Sequence, residues 1–178
     1  WRGSDEMWSA ATWWDPIGTD EFGRDLLATA IAAAGLSFAK GCLLTVLVIV
    51  VGIVVAEAMT LARSSVVSSV VSIVARVLES VPAVFWVVAV VVVLKESRTL
   101  VAAVAFVLIV VPSASTVVAG ELQRLRLRPF VESAYLLGVA EWRVLVRHII
   151  PHSRSVLVPF AIQVLGGAIA IDGAIGVL

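Results

Sequence analysis

The chain has 178 residues, of which 61% are hydrophobic and only 15% are charged, and its mean hydropathy is +1.07. Soluble domains are about 45–50% apolar with about a quarter of their residues charged, so this composition excludes a water-soluble enzyme and a disordered tail. Thirteen basic and thirteen acidic residues cancel, so no net field attracts nucleic acid. A single cysteine, Cys42, excludes an internal disulfide. The composition therefore predicts an integral membrane protein.

The N-terminal residues 1–25 are rich in tryptophan and acidic side chains. Four of the six tryptophans lie there, at positions 1, 8, 13 and 14, and tryptophan is enriched where membrane meets water. We therefore predict an interfacial segment. The chain opens at Trp1 and stops at Leu178 inside an apolar stretch, so we expect it to be part of a longer protein.

Four apolar stretches approach the roughly 20 residues that a helix needs to cross a bilayer. The first covers residues 41–62, with a start as early as Leu26 also consistent, and the second covers residues 66–94. The third and fourth cover residues 100–118, with Pro112 inside, and residues 156–178. Because an isolated strand would leave its backbone unpaired in lipid, we predict helices throughout. The expected fold is an all-α, polytopic transmembrane helix bundle in a single domain, residues 1–178.

The second stretch is interrupted by Arg76, Glu79 and Pro82. Its uninterrupted part, residues 81–94, is too short to cross the membrane alone. We therefore expect its charged half either to enter the membrane or to lie along the surface.

Loop charges predict the orientation, because cytoplasmic loops carry an excess of arginine and lysine. Six of the thirteen basic residues lie between the third and fourth stretches: Arg124, Arg126, Arg128, Arg143, Arg147 and Arg154. We accordingly place residues 121–154 in the cytoplasm. Alternation then puts Arg63 inside, the link at residues 95–98 outside, and residues 1–25 outside.

The cytoplasmic segment has the pattern of two short amphipathic helices. Pro129 suits a first turn, residues 130–137 form the first predicted helix, and Phe130, Ala134 and Leu137 share one side of it. Gly138 is predicted to cap this helix or to make a tight turn. A second helix begins near Ala140, where spacing predicts that the following residues share a face: Trp142, Leu145, Val146 and Ile149.

Pro151 either ends this second helix or begins the next span. Physical reasoning leaves two interpretations of the pair open: helices lying on lipid headgroups, or a compact element that docks into a groove of a soluble partner.

One motif in this segment resembles a known family. Glu132-Ser133-Ala134 is followed by Gly138 and then by Arg147-His148-Ile149-Ile150-Pro151. This order resembles the EAA loop of binding-protein-dependent ABC importer permeases, in which Glu-Ala-Ala precedes a glycine and, about a dozen residues later, an Ile/Leu-Pro pair. Ser133 replaces an alanine of that pattern with another small residue.

A second motif is similar to the Gly-Thr-Asp-x-x-Gly-Arg-Asp signature of the dipeptide, oligopeptide and nickel permease group, in its C-type subunits. The matching residues are Gly18, Thr19, Asp20, Gly23, Arg24 and Asp25. A looser match is Gly166-Gly167-Ala168-Ile169 with Asp172. The resemblance extends roughly from Asp15 to Leu178.

This resemblance implies a type I ABC importer permease fold with about four visible spans out of about six. It implies a non-enzymatic subunit that forms the pathway for peptides or a similar small solute in a bacterial or archaeal inner membrane. The implied partners are a second permease, giving a heterodimer, two cytoplasmic ATPases and an external solute-binding protein. This chain would bind no cofactor, and ATP with magnesium would be held by the ATPases.

The resemblance also assigns roles to residues. The ATPase-coupling loop would use Glu132, Ser133, Ala134, Gly138, Arg147, His148 and Pro151, and ATP-driven closure of the ATPases would move this loop. Asp172, an ionisable residue within a span, is a candidate for a pathway or gating role, and structural pairing is an equal alternative.

Other polar residues have simpler explanations. Arg76 and Glu79 are three residues apart and could pair with each other, with pathway lining as the alternative. Thr19, Asp20 and Glu21 could cap a helix, and Asp20 with Arg24 makes an i, i+4 pair. Glu57 is a further ionisable residue in an apolar span.

Metal binding and catalysis are poorly supported by the sequence. His148 and His152 lie four residues apart, but Pro151 separates them and a third ligand is missing, so we expect no metal site. There is no Gly-x-x-x-x-Gly-Lys phosphate loop, and the only lysines are Lys40 and Lys95. The chain is therefore not expected to hydrolyse ATP.

Two rival functions stay open at this point. A gradient-driven secondary transporter or channel would show inverted repeats with broken helices, and the sequence has no convincing repeat. A membrane-embedded enzyme would need convergent catalytic residues in the spans, for which only Glu57, Glu79 and Asp172 are candidates.

Overall fold

The computed structural model describes residues 10, 13, 16–61, 65–94 and 98–177. The prediction of an all-α membrane protein is confirmed: the described chain is helical apart from turns and one isolated bridge between Thr19 and Asp25. The helices are α1 (Leu26–Leu61), α2 (Ser65–Glu79), α3 (Ala83–Leu94), α4 (Arg98–Arg126), α5 (Pro129–Leu136), α6 (Glu141–Val144), α7 (Ile150–His152) and α8 (Arg154–Val177). A π-helical turn, Leu145–Ile149, joins α6 to α7.

Among the described residues, three helices are long and apolar enough to cross a membrane, or four if the bent pair α2–α3 counts as one span. The first span takes the longer of its two predicted forms, because α1 begins at Leu26. The third continues beyond the predicted Val118 to Arg126, so the hydrophilic segment starts as a helical extension of the span. The fourth agrees with the prediction and contains Pro159 within the helix.

The second predicted span is broken. α2 and α3 meet at an angle of 87° across residues 80–82. Pro82 cannot supply a backbone N–H, which favours a helix end at this point, and the indole Nε1 of Trp86 donates to the carbonyl oxygen of Leu78 across the break at 3.2 Å. Arg76 and Glu79 both lie in the last turn of α2, but the suggested ion pair between them is not formed.

The chain divides into two compact units, residues 1–40 and 41–178, and the boundary falls within α1. The larger unit has two cores. One surrounds the fully buried Phe106 of α4 and draws on α1, α3 and α8. The other, the junction core, joins the ends of α1 and α4 to the segment that follows α4, and Leu122 is its largest deeply buried side chain.

Several sequence predictions fall on residues outside the described part of the chain. They concern Trp1, Trp8, Trp14, Arg63 and residues 95–97 of the external link. Trp13 is described, and its side chain is almost fully exposed. Orientation across a membrane therefore stays a prediction from loop charge.

Candidate functional site

The connecting segment, residues 127–153 between α4 and α8, is held on the junction core by a small set of side chains. Val131 and Ala134 of α5 are buried, as are Val144 of α6 and Ile149 of the π turn. They pack in one cluster with the ends of the spans, which contribute Ala56, Met59, Val118, Ala119, Leu122 and Leu125. Movement of the segment is therefore tied to movement of α1 and α4.

α5 ends as the sequence predicts, with Gly138 as its terminating residue. Gly138 has a φ of 73°, a left-handed conformation that costs little only without a Cβ. Its N–H donates to the carbonyl of Tyr135 at 2.9 Å, and the N–H of Val139 donates to that of Ala134 at 3.1 Å. These two bonds form a Schellman motif, which satisfies carbonyls at the helix end. The turn into α6 is thus fixed by backbone geometry.

The second helix begins at Glu141, close to the predicted position, but it is not a uniform α-helix. Residues 145–149 form a π turn before α7 and α8 continue the path. Pro151 has no N–H to donate to an α-helical partner one turn earlier, and a local change to i→i+5 bonding accommodates it. Pro151 therefore neither ends the helix nor opens the span, since α8 begins only at Arg154.

The connecting segment exposes large apolar side chains. Leu136 and Leu137 are each 83% exposed, Trp142 is 63% exposed, and Leu127 and Val146 are also exposed. The residues of each predicted apolar face differ in burial: of Phe130, Ala134 and Leu137 only Ala134 is buried. Of the second predicted face only Ile149 is fully buried, because the π turn changes the helical period on which that prediction depended.

The predicted coupling residues fall into an exposed set and a buried set. Glu132 lies exposed in the first turn of α5, near the positive end of the helix dipole, and makes no ion pair within the described residues. Arg147 and Pro151 are also exposed and His148 is half-buried. Ala134 faces the core, and the Ser133 hydroxyl donates to the carbonyl of Pro129 at 2.8 Å.

The two histidines make local contacts. Nδ1 of His152 lies 2.6 Å from the carbonyl oxygen of His148, and since a carbonyl only accepts, Nδ1 must carry the proton. The ring of His152 also stacks on Phe130, with ring centroids 4.7 Å apart. Among the described residues, no group of three or more histidine, cysteine, aspartate or glutamate side chains could hold a metal ion.

A charge cluster at the base of the connecting segment was not predicted. Nη2 of Arg126, at the end of α4, lies 2.5 Å from Oε1 of Glu57 in α1 and 3.4 Å from Oε1 of Glu141 in α6. Both Glu57 and Arg126 are mostly buried. The sequence marked Glu57 as an ionisable residue in a span, but nothing local identified its partner 69 residues away.

Tyr135 of α5 lies close enough to this cluster to feel its charges. Burial raises the pKa of its phenol above the ordinary 10.0, the positive charge of Arg126 opposes that rise, and the carboxylates of Glu141 and Glu57 add to it. The phenol is therefore neutral at physiological pH.

The N-terminal signature forms a tight, self-contained turn. The Asp20 carboxylate accepts hydrogen bonds from the N–H groups of Phe22 and Arg24 and from Nε of Arg24, all within 2.9 Å. Gly18 and Gly23 have positive φ values of 86° and 69°, which explains why glycine occupies both positions. Backbone hydrogen bonding to Arg24 is the main reason that the pKa of Asp20 lies below its usual range.

The helix cap lies at a different residue from the one predicted. The carboxylate of Asp25 accepts from the N–H groups of Leu27 and Ala28 at 2.8 and 3.3 Å, so Asp25 is the N-cap of α1. Asp20 instead closes the turn before the helix, and its predicted pairing with Arg24 is confirmed at 2.9 Å. The two signature aspartates therefore have distinct structural roles.

Asp172 and the adjoining glycine pair lie in α8. Asp172 is half-buried in the C-terminal part of the helix. A Cβ at Gly167 would only touch the Phe106 ring, at 3.8 Å. The pathway or gating role of Asp172 stays a prediction.

Comparison with known proteins bears directly on this arrangement. The family model described as "Binding-protein-dependent transport system inner membrane component" matches residues 48–177, which include the ends of α1 and α4, the connecting segment and α8. No curated protein and no solved structure gave a significant match. The matched range contains the charge cluster and every exposed residue of the connecting segment described above.

Proposed function

The chain belongs to the family of inner-membrane components of binding-protein-dependent transport systems, the ABC importer permeases. From that membership together with the N-terminal signature, we propose that it imports peptides or a similar small solute. In this proposal the connecting segment is the ATPase-coupling loop. The chain pairs with a second permease, two cytoplasmic ATPases supply the energy, and an external binding protein delivers the solute. The proposed location is the inner membrane of a bacterium or archaeon.

The main support for this proposal is that the connecting segment is buried on one side and exposes apolar side chains on the other. Val131, Ala134, Val144 and Ile149 are buried against the ends of α1 and α4, while Leu136, Leu137 and Trp142 are exposed. A segment fixed on one side and apolar on the other has the form of a helical knob that fills a groove in a partner. Exposed leucine and tryptophan side chains supply the buried area that such docking needs.

Glu132 favours a protein partner over a lipid surface, although the exposed Arg143 and Arg147 of the same segment would suit anionic headgroups. Glu132 is exposed, lies close to Pro129 at the start of α5, and has no ion-pair partner in the part of the chain that the structure describes. A carboxylate would be repelled by anionic headgroups, whereas it can make a charge-assisted hydrogen bond with an arginine or a backbone N–H of a protein partner. The lipid-surface interpretation predicts no loss of ATPase when Glu132 is reversed in charge.

The need for a second permease is supported by how little of each span the chain buries. Only 28% of the most apolar window of α1, 33% of that of α4 and 17% of that of α8 are buried. Much of the apolar surface of these spans is therefore left for lipid and for other membrane helices. Lipid and a partner subunit would share the remaining surface.

The peptide assignment depends on the N-terminal signature. Gly18, Asp20, Gly23 and Arg24 form a closed turn in front of α1, and each residue type has a local structural reason. The proposed assignment to the C-type subunits of the dipeptide, oligopeptide and nickel group follows from the resemblance of these residues. ATP and magnesium would bind in the ATPase subunits. This chain would contact those subunits through the connecting segment and would not bind the nucleotide itself.

The test is co-purification of the full-length protein from membranes in mild detergent, together with ATP-dependent uptake in vesicles. We expect an ATPase and a second permease to accompany the wild-type chain. We expect Glu132→Lys to lose the ATPase and uptake while still inserting in the membrane. Glu21→Lys is the matched control, because Glu21 is also exposed and the charge change is the same.

Each alternative has its own signature in this experiment. A lone protein whose uptake requires an ion gradient and not ATP would establish the secondary-transporter alternative. Retention of ATPase and uptake by Glu132→Lys would contradict the coupling role of α5 and favour the headgroup interpretation of the connecting segment.

A further inference from the structure

The break between α2 and α3 opens a cavity of about 310 Å³, which we call the hinge cavity. α4 and α8 complete its walls. Its polar side chains are Glu79, Ser113 and Gln163, and its largest apolar ones are Phe106 and Phe160. A volume of this size is at the lower end of the range for small-molecule sites, which combine apolar walls with a few placed polar groups.

The polar groups of the hinge cavity have no partners in the described part of the chain. Glu79 makes no ion pair there, and neither the Ser113 hydroxyl nor the Gln163 amide makes a hydrogen bond to any described residue. Glu79 and Gln163 are exposed and Ser113 is half-buried. Three polar side chains from three helices thus line one space, and their hydrogen-bonding groups are free to meet a ligand.

Two polar residues of the hinge cavity lie near the middle of helices long enough to cross a membrane. Ser113 is near the middle of α4, and Gln163 is near the middle of α8. Transporter sites commonly lie near the bilayer midplane beside broken helices, and the break at residues 80–82 forms one side of this cavity. Glu79 is a carboxylate in a largely apolar lining, and ionisable residues within membrane segments commonly have a functional role.

The electrostatics of the cavity favour a cation. Glu79 is the only charged side chain among the described residues that line it, and it stands in the last turn of α2, where the helix dipole is negative. Arg76 occupies the same turn but does not line the cavity. A carboxylate and a helix C-terminus that act together attract an ammonium group, while Ser113 and Gln163 can hydrogen-bond a neighbouring amide.

We propose that the hinge cavity is a solute-contact site of the translocation pathway that takes a small organic cation, an ammonium group attached to an amide and an apolar body, with Glu79 as the counter-charge. The inference rests on the proposed importer function and deepens it by naming the solute class. The free amino terminus of a short peptide has this chemistry. Phe106 and Phe160 would contact its side chain.

The test measures the charge preference of a thiol placed in the cavity. The only native cysteine is removed by Cys42→Ala, and Ser113→Cys is introduced into the full transporter in membrane vesicles. We expect a trimethylammonium-bearing methanethiosulfonate to modify it about tenfold faster than the sulfonate-bearing analogue, after correction for their rates with a free thiol. Glu79→Gln should bring this ratio close to one.

The matched control is Ile162 of α8, which precedes the cavity-lining Gln163 in the chain. Ile162 is 65% exposed and does not line the cavity, so Ile162→Cys should show no dependence on Glu79. A Ser113→Cys thiol that reacts with neither reagent would overturn the proposal, because the cavity would then be filled by lipid or by another subunit. A ratio that Glu79→Gln does not change would overturn it as well.

The solute class is tested by protection in the same vesicles. L-alanyl-L-alanine should slow modification of Ser113→Cys, about threefold at twice its Kd, whereas N-acetyl-L-alanyl-L-alanine should not. Equal protection by both peptides, or by neither, would refute the ammonium requirement. Co-purification of ATPase with each variant is measured in parallel: if the ATPase is retained and the thiol tests fail, this inference is wrong while the proposed importer function stands.

Discussion

Arg126 and Glu57 join the end of α4 to α1 with an Nη2–Oε1 distance of 2.5 Å, although 69 residues separate them in the chain. Both side chains are less than a fifth exposed, and Glu141 of α6 approaches the same guanidinium group at 3.4 Å. The second oxygen of Glu57 and Nε of Arg126 are buried without hydrogen-bond partners among the described residues. The cluster therefore ties the connecting segment to two spans through one arginine that is only partly satisfied.

Breaking this pair on one side should destabilise the protein. Arg126→Met leaves the mostly buried Glu57 carboxylate without its counter-charge, and we expect a loss of about 3 kcal/mol in the free energy of unfolding. The double variant Glu57→Leu with Arg126→Met removes both charges and should recover most of that loss. The measurement is reversible unfolding in mixed detergent micelles.

Arg128→Met is the control for this cycle, because Arg128 is exposed and forms no ion pair with a described residue. It should leave stability unchanged. If the double variant loses as much free energy of unfolding as the two single variants lose together, Arg126 and Glu57 do not interact in the way their distance indicates.

Tyr135 reports on the same cluster, and it is the only tyrosine in the chain. Its pKa is raised above 10.0, mainly by burial, so the ultraviolet absorbance of tyrosinate should titrate above that value in the folded protein. Arg126→Met should raise the midpoint further, because Arg126 stabilises the phenolate. Glu141→Gln should lower it.

The raised pKa of Tyr135 makes the stability of the folded protein depend on pH in the alkaline range. The folded state holds the phenol proton more tightly than the unfolded state, so the contribution of Tyr135 is complete below pH 10.0 and is lost as pH rises through the folded-state pKa. Tyr135→Phe should remove this alkaline dependence. A titration midpoint equal to that of the denatured chain would show that Tyr135 does not feel its surroundings.

The sequence predicted well what depends on long, uniform stretches. α1 and α8 are continuous apolar runs of sufficient length, and lipid leaves a helix as the only backbone solution for them. Gly138 was also predictable, because a glycine after an amphipathic octet is a common helix terminator. In each case the signal is local to one short part of the sequence.

The sequence failed where the outcome depends on contacts between distant residues. Glu57 was visible as an anomaly, but its partner Arg126 looked like one of six equivalent loop arginines. The apolar face around Trp142 was misassigned because a regular period was assumed through the π turn that precedes Pro151. Asp20 was predicted to cap α1, and the folded turn shows that Asp25 does so instead.

Gly138 gives a prediction about the α5–α6 turn itself. Its φ is 73°, and no atom lies within 4 Å of the position that a Cβ would occupy, so Gly138→Ala should cost about 1 kcal/mol purely through backbone strain. Gly138→Asn should cost less, since asparagine tolerates this conformation. Limited proteolysis of the connecting segment measures the local loss of order.

Gly120→Ala is the corresponding control. Gly120 lies within α4, and a Cβ there would also meet open space, so alanine should be neutral or slightly stabilising. Equal protease sensitivity of Gly138→Ala and wild type would mean that the turn is not held by its backbone conformation.

Gly52 marks a close approach of α1 to α4, and it leads to the last prediction. A Cβ at Gly52 would lie 2.9 Å from the Cβ of Ala114, so the two helices touch through small residues, as membrane helices often do. Gly52→Val should force the two helices apart and lower the free energy of unfolding in detergent by about 1 to 3 kcal/mol. Gly35→Val is the control: no atom lies within 4 Å of the Cβ position of Gly35, so this substitution should leave the free energy of unfolding unchanged. Because Val48 and Ala56, one turn on either side of Gly52, are fully buried, the separation would also loosen both cores. Lost ATP-dependent uptake with retained ATPase binding is therefore the expected phenotype of Gly52→Val, and unchanged stability and uptake would show that this close contact is not required.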